Sequence, residues 1–355
     1  MGLANTELDQ ILAWRVRLSL SQQFSSAQTT ITERQVVLVR VEVDGHTGWG
    51  EAAPVPGHTD EDIDSLWQAL RQLTHEHGLE SAHHSAGMIR AAFNQAADDA
   101  AARQTALPLW KSLGGKGQVP ASAAIGVDNE GQPDRTQLKS AAASGYRHMK
   151  LKVTPATDPE RVAALARQHP DITFGVDANG SLGFEEIRLL SALDTIGLEY
   201  IEQPGTPDDL DLHARLRRRL NTPISLDESA HSSEAVAQIV TLGAADIVNL
   251  KVGRFGTVKT LGIATDLAAG GIRVRIGGLI ETGIGRAHSV ALATHPVFTV
   301  VGDIAGSDRY FADDLVVPQW RANDGYLSPP SAPGIGVTVN DKAVADLAVD
   351  SITVS

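Results

Sequence analysis

From Val119 onward the chain alternates short apolar stretches with amphipathic helical ones, and that alternation limits the folds open to it more than any other feature. The pattern predicts strands near 121–125, 149–153, 173–177, 199–203, 224–227, 247–251, 273–276 and 298–301. Helical patterns lie between them, among others at 161–167, 185–193, 210–220, 233–242 and 257–269, each with its apolar residues on one face. Eight strands alternating with helices define an α/β fold of the (β/α)8 barrel type rather than an open, doubly wound sheet. No helix is evident after the eighth strand, where 302–314 is rich in Gly and Asp, so a modified (β/α)7β barrel is expected.

The part before the barrel is of another kind. A β-branched run at 36–43, the turn pair Asp44-Gly45 and the segment 48–52 read as a hairpin, and helical patterns follow at 60–77 and 85–103, the second with Asp98 and Asp99 embedded. The glycine cluster 114–117 suits a linker. The expected division is an N-terminal α+β domain (1–118), a barrel (119–311), and a C-terminal segment (312–355) that packs back on the first domain.

Composition excludes several classes of function. The 355 residues hold 43 acidic and 30 basic side chains, and the net charge of −13 repels nucleic acid and anionic lipid surfaces. With no cysteine there are no disulfides, thiolate nucleophiles or iron–sulfur clusters. No apolar run approaches the ~20 residues that span a bilayer, and the start of the chain lacks a signal-peptide pattern, so a cytoplasmic protein acting on a small molecule is expected, with a homo-oligomer left open. Met1 to Thr6 fits a loose myristoylation pattern so short that it often matches by chance, and the small cluster of His75, His77, His83 and His84 reads as a solvated surface. The short runs Gly283-Ile284-Gly285 and Gly334-Ile335-Gly336 read as turns, because neither has the context of a nucleotide site.

Five reactive side chains close five consecutive predicted strands: Lys152, Asp177, Glu202, Asp227 and Lys251, separated by 25, 25, 25 and 24 residues. One βα repeat of a compact barrel takes about 25 residues, so the spacing predicts one position on successive strands and one shared mouth, at the C-terminal face where barrel active sites form. A lone Asp at a strand end is usually a helix cap, and a lone Lys usually a solvated rim residue. Five in register are poorly explained that way.

Three carboxylates converging in a buried mouth repel one another unless a cation neutralises them. An all-oxygen donor set favours a hard divalent ion, Mg²⁺ with Mn²⁺ as a substitute. The lysines flank the acids on either side, and one tuned toward neutrality by the metal and Lys150 can serve as a general base.

The segments Lys150-Leu151-Lys152, Val176-Asp177-Ala178-Asn179, Tyr200-Ile201-Glu202-Gln203-Pro204, Leu226-Asp227-Glu228-Ser229 and Asn249-Leu250-Lys251 resemble the strand-end motifs of the enolase superfamily, muconate-lactonizing subgroup. The stretches 277–287 and 302–310 resemble those of its o-succinylbenzoate synthase and N-acylamino acid racemase family, and the similarity runs from Gly48 to about Val337. The resemblance implies that Asp177, Glu202 and Asp227 bind Mg²⁺ and that Lys152 and Lys251 are the acid/base pair. It further implies support from Lys150, Asn179 and Glu228, substrate contacts at Gly278, Glu281 and Asp303, a catalytic role for the barrel 119–311, and a capping domain in 1–118 whose loops near Phe24 and Pro56 close over the substrate.

The chemistry so implied is abstraction of the α-proton of a carboxylate through an enediolate. Dehydration to o-succinylbenzoate is the expected reaction: 302–308 lacks the paired Asp-x-Asp that holds a free ammonium in dipeptide-epimerase relatives, and its place beside 278–283 resembles the site that receives a succinyl or N-acyl arm. Racemisation of N-acyl or N-succinyl amino acids is the alternative, with other muconate-lactonizing-type cycloisomerases and epimerases behind it. Rivals from other classes are a Schiff-base lyase and a barrel that binds without catalysis.

Overall fold

The computed structural model describes residues 10–25, 29–76 and 87–354. Met1 to Thr6 and the side chains of His75, His77, His83 and His84 lie outside the described residues. Strands β1 (Gln10–Ser25), β2 (Thr30–Val43) and β3 (His46–Ala52) form an antiparallel sheet, with β2 and β3 joined through Asp44 and Gly45, both at positive φ. The side chains of Val36, Val37, Leu38 and Val39 are all buried. Since successive side chains point to opposite faces, both faces of β2 are covered there.

Helices α1 (Ile63–Glu76) and α2 (Gly87–Gln104) follow. The Ala-rich α2 lies so close on β3 that a Cβ at Gly48 or Gly50 would fall 1.9 Å from the backbone oxygen of Ala96 or Ala92. The two acids embedded in α2 are structural ties. Asp99 accepts from Trp49 N and Ile335 N, and Asp98 from Val258 N on a barrel helix.

The barrel sheet has seven parallel strands in sequence order: β4 (Ser122–Ile125), β5 (His148–Lys152), β6 (Thr173–Asp177), β7 (Ile201–Glu202), β8 (Ile224–Leu226), β9 (Ile247–Leu250) and β10 (Arg273–Ile276). The eighth strand expected at 298–301 does not form. Two isolated parallel bridges replace it, Val274 with Phe298 and Gly277 with Asp303, and Ser122 N donates to Ile304 O to close the ring. The run Thr299-Val300-Val301 is β-branched and suited to extension, so the break lies in pairing rather than composition: Phe298 and Asp303 make isolated bridges, and closure runs through single bonds.

Helices at Arg135–Ala143, Pro159–Gln168, Leu210–Arg219 and Ser233–Leu242 begin at Asp134, Asp158, Asp209 and Ser232, whose side chains accept first-turn N–H groups. Gly283-Ile284-Gly285, expected as a turn, is instead the first turn of a buried helix, Gly283–Ala293, because Thr282 caps it. Between 302 and 314 the helical element is a short 3-10 turn at Ser307–Arg309, as the (β/α)7β reading requires, and a helix at Asp341–Leu347 follows only in the C-terminal segment. The C-terminal strand β11 (Ala348–Val354) pairs with β1, so the N-terminal sheet has the order β11-β1-β2-β3. No helix among the described residues is long and apolar enough to cross a membrane.

Candidate active site

Equal sequence spacing becomes a staggered arrangement. Lys152 pairs laterally with Asp177 and Asp177 with Glu202, but Glu202 pairs with Ser225, and Leu226 with Val248. Asp227 therefore stands two residues beyond the first row and Lys251 two residues beyond Asp227. Closing a sheet into a barrel requires such shear, and a slip of two keeps every side chain on the inner face.

The five side chains and Lys150 form one buried ionic network. Lys152 Nζ donates to Asp177 Oδ2 and Asn179 Oδ1, each at 2.7 Å. Lys150 Nζ lies 2.8 Å from both Asp177 Oδ2 and Glu202 Oε1, and 2.6 Å from Asp303 Oδ2. On the far side Lys251 Nζ stands 2.9 Å from Asp227 Oδ2 and donates to Gly278 O at 3.1 Å.

Burial raises the pKa of every acid here, and neighbours decide the outcome. For Asp177, Lys150 and Lys152 outweigh burial and hold the carboxyl well below its usual range; Lys251 and Arg254 do the same for Asp227. Burial wins at Glu202, which is pushed up to about 7 despite Arg275 and Lys150. Burial alone would lower Lys150, but Asp177, Asp303 and Glu202 raise it well above the ordinary lysine value. Asp303 is held low by Lys150 and Arg275 against its own burial.

Asp177, Glu202 and Asp227 are no more than 2% exposed, supply only hard oxygen donors, and include a buried oxygen, Glu202 Oε2, with no hydrogen-bond partner. As the side chains stand, no group of three His, Asp or Glu among the described residues is spaced to hold a metal ion. Ammonium groups lie between the acids instead, with Lys150 equidistant from Asp177 and Glu202. In donor type, burial and the under-compensated Glu202, the trio fits a divalent cation.

Three contributors escape a reading of strand ends. Asn249 Nδ2 lies 3.3 Å from Glu202 Oε1 and 3.2 Å from Asp227 Oδ2, tying the two acids together. It turns there because Gly277 is bare: a Cβ on Gly277 would come within 2.5 Å of Asn249 Oδ1. Arg275, fully buried, stands 3.1 Å from Glu202 Oε2 and stacks 4.2 Å over the Tyr200 ring. Arg254 Nη1 donates to Asp227 O and Oδ1. The missed signal for Arg275 is its position, 24 residues past Lys251 in the same series.

A pocket opens onto this network, lined by Lys150, Lys152, Asp177, Asn179, Asp227 and Lys251 from the barrel and by Phe24, Val55 and His58 from the N-terminal part. Gly278 and Asp303 line it, as does Arg286. Glu281 does not: its carboxylate turns back to accept from Leu279 N and Ser289 Oγ. Glu228 lies beside the pocket, accepting from Asn179 Nδ2 at 2.9 Å and facing His58 Nδ1 at 3.3 Å.

Residues 134–343 match the family model described as "Enolase C-terminal domain-like". The chain is 33% identical to o-succinylbenzoate synthase of Geobacillus kaustophilus, with 95% of each chain covered. It is 32% identical to N-succinylamino acid racemase of Thermus thermophilus, over 91% of this chain and 92% of that one. A crystal structure of an enolase-superfamily member from Listeria innocua superposes with a TM-score of 0.89 at 29% identity, covering 99% of each chain. The family match and these relatives make the chain an enolase-superfamily enzyme, a lyase or isomerase. Within that superfamily the chain belongs to the family that groups o-succinylbenzoate synthases with N-succinylamino acid racemases.

Proposed function

We propose that the chain removes the α-proton of a small carboxylate substrate through an enediolate, and that its reaction is the dehydration that yields o-succinylbenzoate. The observation that carries this reading is the pair Lys152 and Lys251, ion-paired to different acids of one buried trio, in a chain that aligns along nearly its whole length with o-succinylbenzoate synthases. Asp177, Glu202 and Asp227 would hold Mg²⁺, with Mn²⁺ as a substitute; when bound, the ion supplies the positive charge that stabilises the second negative charge developing on the substrate carboxylate.

The chain's own residues do the rest. A lysine amine takes the α-proton on its face, and in a syn elimination the same ammonium returns a proton to the β-hydroxyl, which leaves as water. The other lysine then serves as a fixed cation. Phe24, Val55, Leu279 and Ile280 form the apolar part of the wall and exclude water from the α-carbon. Residues 1–118 act as the cap on a barrel of 119–311, and 312–355 return to the cap, a division that the pairing of β11 with β1 supports.

The presence of a lysine beside each end of the acid trio favours a second reading, racemisation of N-succinyl or N-acyl amino acids, in which one lysine removes the proton and the other delivers one to the opposite face. A Schiff-base mechanism is disfavoured, since Lys150, Lys152 and Lys251 are all held in ion pairs rather than in an apolar setting that would free an amine. The test is kcat/KM for the cyclohexadiene carboxylate precursor of o-succinylbenzoate and for an N-succinylamino acid, measured side by side. Negligible values for both, with turnover of a dipeptide or a muconate, would overturn the substrate assignment.

A further inference from the structure

Arg34 projects from β2 into the seam between the N-terminal sheet and the barrel, where it is 2% exposed. Its guanidinium divides its donors between two loops. Nη1 donates to Pro54 O at 2.7 Å, at the root of the loop that carries Val55 and His58 to the pocket. Nη2 donates to Leu279 O at 3.1 Å and Nε to Ile280 O at 3.4 Å, on the loop that follows β10. One buried cation thereby ties together two loops that line the pocket.

The barrel loop needs holding. Ile280 has φ +54°, a left-handed conformation that is a genuine outlier for a β-branched side chain. Such strain persists only where the surroundings over-determine it. Arg34 grips the carbonyls of Leu279 and Ile280, the Glu281 carboxylate takes Leu279 N, and Glu51 of β3 accepts both Thr282 N and Thr282 Oγ1. The residue just before this stretch is Gly278, whose carbonyl receives Lys251 Nζ. Lys152 rests instead on Asp177 and Asn179, at the end of the neighbouring strand.

We propose that Arg34 is a positioning residue: it sets the loop 278–282 and, through the Gly278 carbonyl, the Lys251 ammonium, so that the seating of the cap governs proton transfer on the Lys251 face more than on the Lys152 face. The face-selective part of this inference rests on the two-lysine reaction proposed above.

The experiment uses the full chain with Arg34→Met, Arg34→Lys and Ile280→Gly. In the absence of substrate, backbone amide exchange read by mass spectrometry is expected to quicken at 277–283 in Arg34→Met, while 148–153 and 173–179 keep their protection. In D2O, each enantiomer of an N-succinylamino acid reports one face, assigned with Lys152→Ala and Lys251→Ala. Arg34→Met is expected to lose at least about tenfold in α-proton exchange on the Lys251 face and less than about threefold on the other, since small misplacements of a catalytic group cost that much. Arg34→Lys, with a cation but fewer donors, should fall between.

Ile280→Gly adopts the same φ without strain, keeps the fold and loosens the loop, so its loss should fall on the same face. Equal losses on both faces, or unchanged protection of 277–283 in Arg34→Met, would overturn the assignment. If the wild-type chain exchanges neither enantiomer, the two-lysine reading fails, and amide protection alone decides whether Arg34 sets the loop.

Discussion

The Glu51 carboxylate accepts both the backbone N–H and the hydroxyl of Thr282, at 2.9 and 2.6 Å, so a strand of the N-terminal sheet caps a barrel helix that starts one residue later. Gly285 N adds a third donor at 2.9 Å. Burial nevertheless outweighs these bonds and pushes Glu51 up to about 7.

That shift has a defined sign. Between the ordinary glutamate value of about 4.5 and about 7, the folded chain binds more protons at this site than the unfolded one. The site therefore costs stability fully above pH 7, and the cost is relieved as pH falls toward 4.5. Comparing Glu51→Gln with wild type in urea unfolding at pH 5 and 7.5 should show a difference in pH response of up to about 3 kcal/mol, as the rise from 4.5 to about 7 implies. Buried His213 and His288, both lowered to about 4, act in the opposite sense but cancel in the comparison. Identical pH responses would refute this account of Glu51.

Mg²⁺ should stabilise the folded chain by binding it alone, by about 2.7 kcal/mol at a hundred times its Kd. Asp177→Asn, Glu202→Gln and Asp227→Asn should each shrink the Mg²⁺-induced rise in Tm and lower activity together. Full activity in EDTA would sink the metal assignment.

Lys152→Ala and Lys251→Ala should each abolish racemisation of an N-succinylamino acid while sparing α-deuterium exchange on the face that the surviving lysine serves. NMR of the α-proton in D2O checks this. Racemisation that survives both single substitutions would remove the lysines from the reaction.

Arg275→Met leaves Glu202 with Lys150 as its remaining ion-pair partner in a fully buried setting. Breaking a buried pair from one side costs about 3–5 kcal/mol, and Arg275→Met combined with Glu202→Gln should recover part of it. Denaturant midpoints of the four chains give the coupling. A loss under about 0.5 kcal/mol in the single variant, the range of ordinary surface substitutions, would show that Arg275 does not serve as the counter-charge.

The sequence by itself determined the alternation of the first seven barrel strands with helices, the 25-residue repeat, and the charged residues at or just past five of the strand ends, because hydrophobic period and chain length per repeat are local properties. It also determined the hairpin of β2 and β3 through Asp44-Gly45. Only the tertiary structure decided that Asp227 and Lys251 step two residues up from the row of Lys152, Asp177 and Glu202, since shear is imposed by closing the ring. The same holds for Asn249 and Arg275, whose partners come from strands distant in sequence, and for β1, which acquires its two neighbours from β2 and the far end of the chain. Glu281, read from its motif as a substrate contact, turns away from the pocket because two donors within its own loop and helix claim its carboxylate. Which way a charged side chain faces depends on what the rest of the fold brings within about 4 Å of it, and that is set by packing rather than by position along the chain.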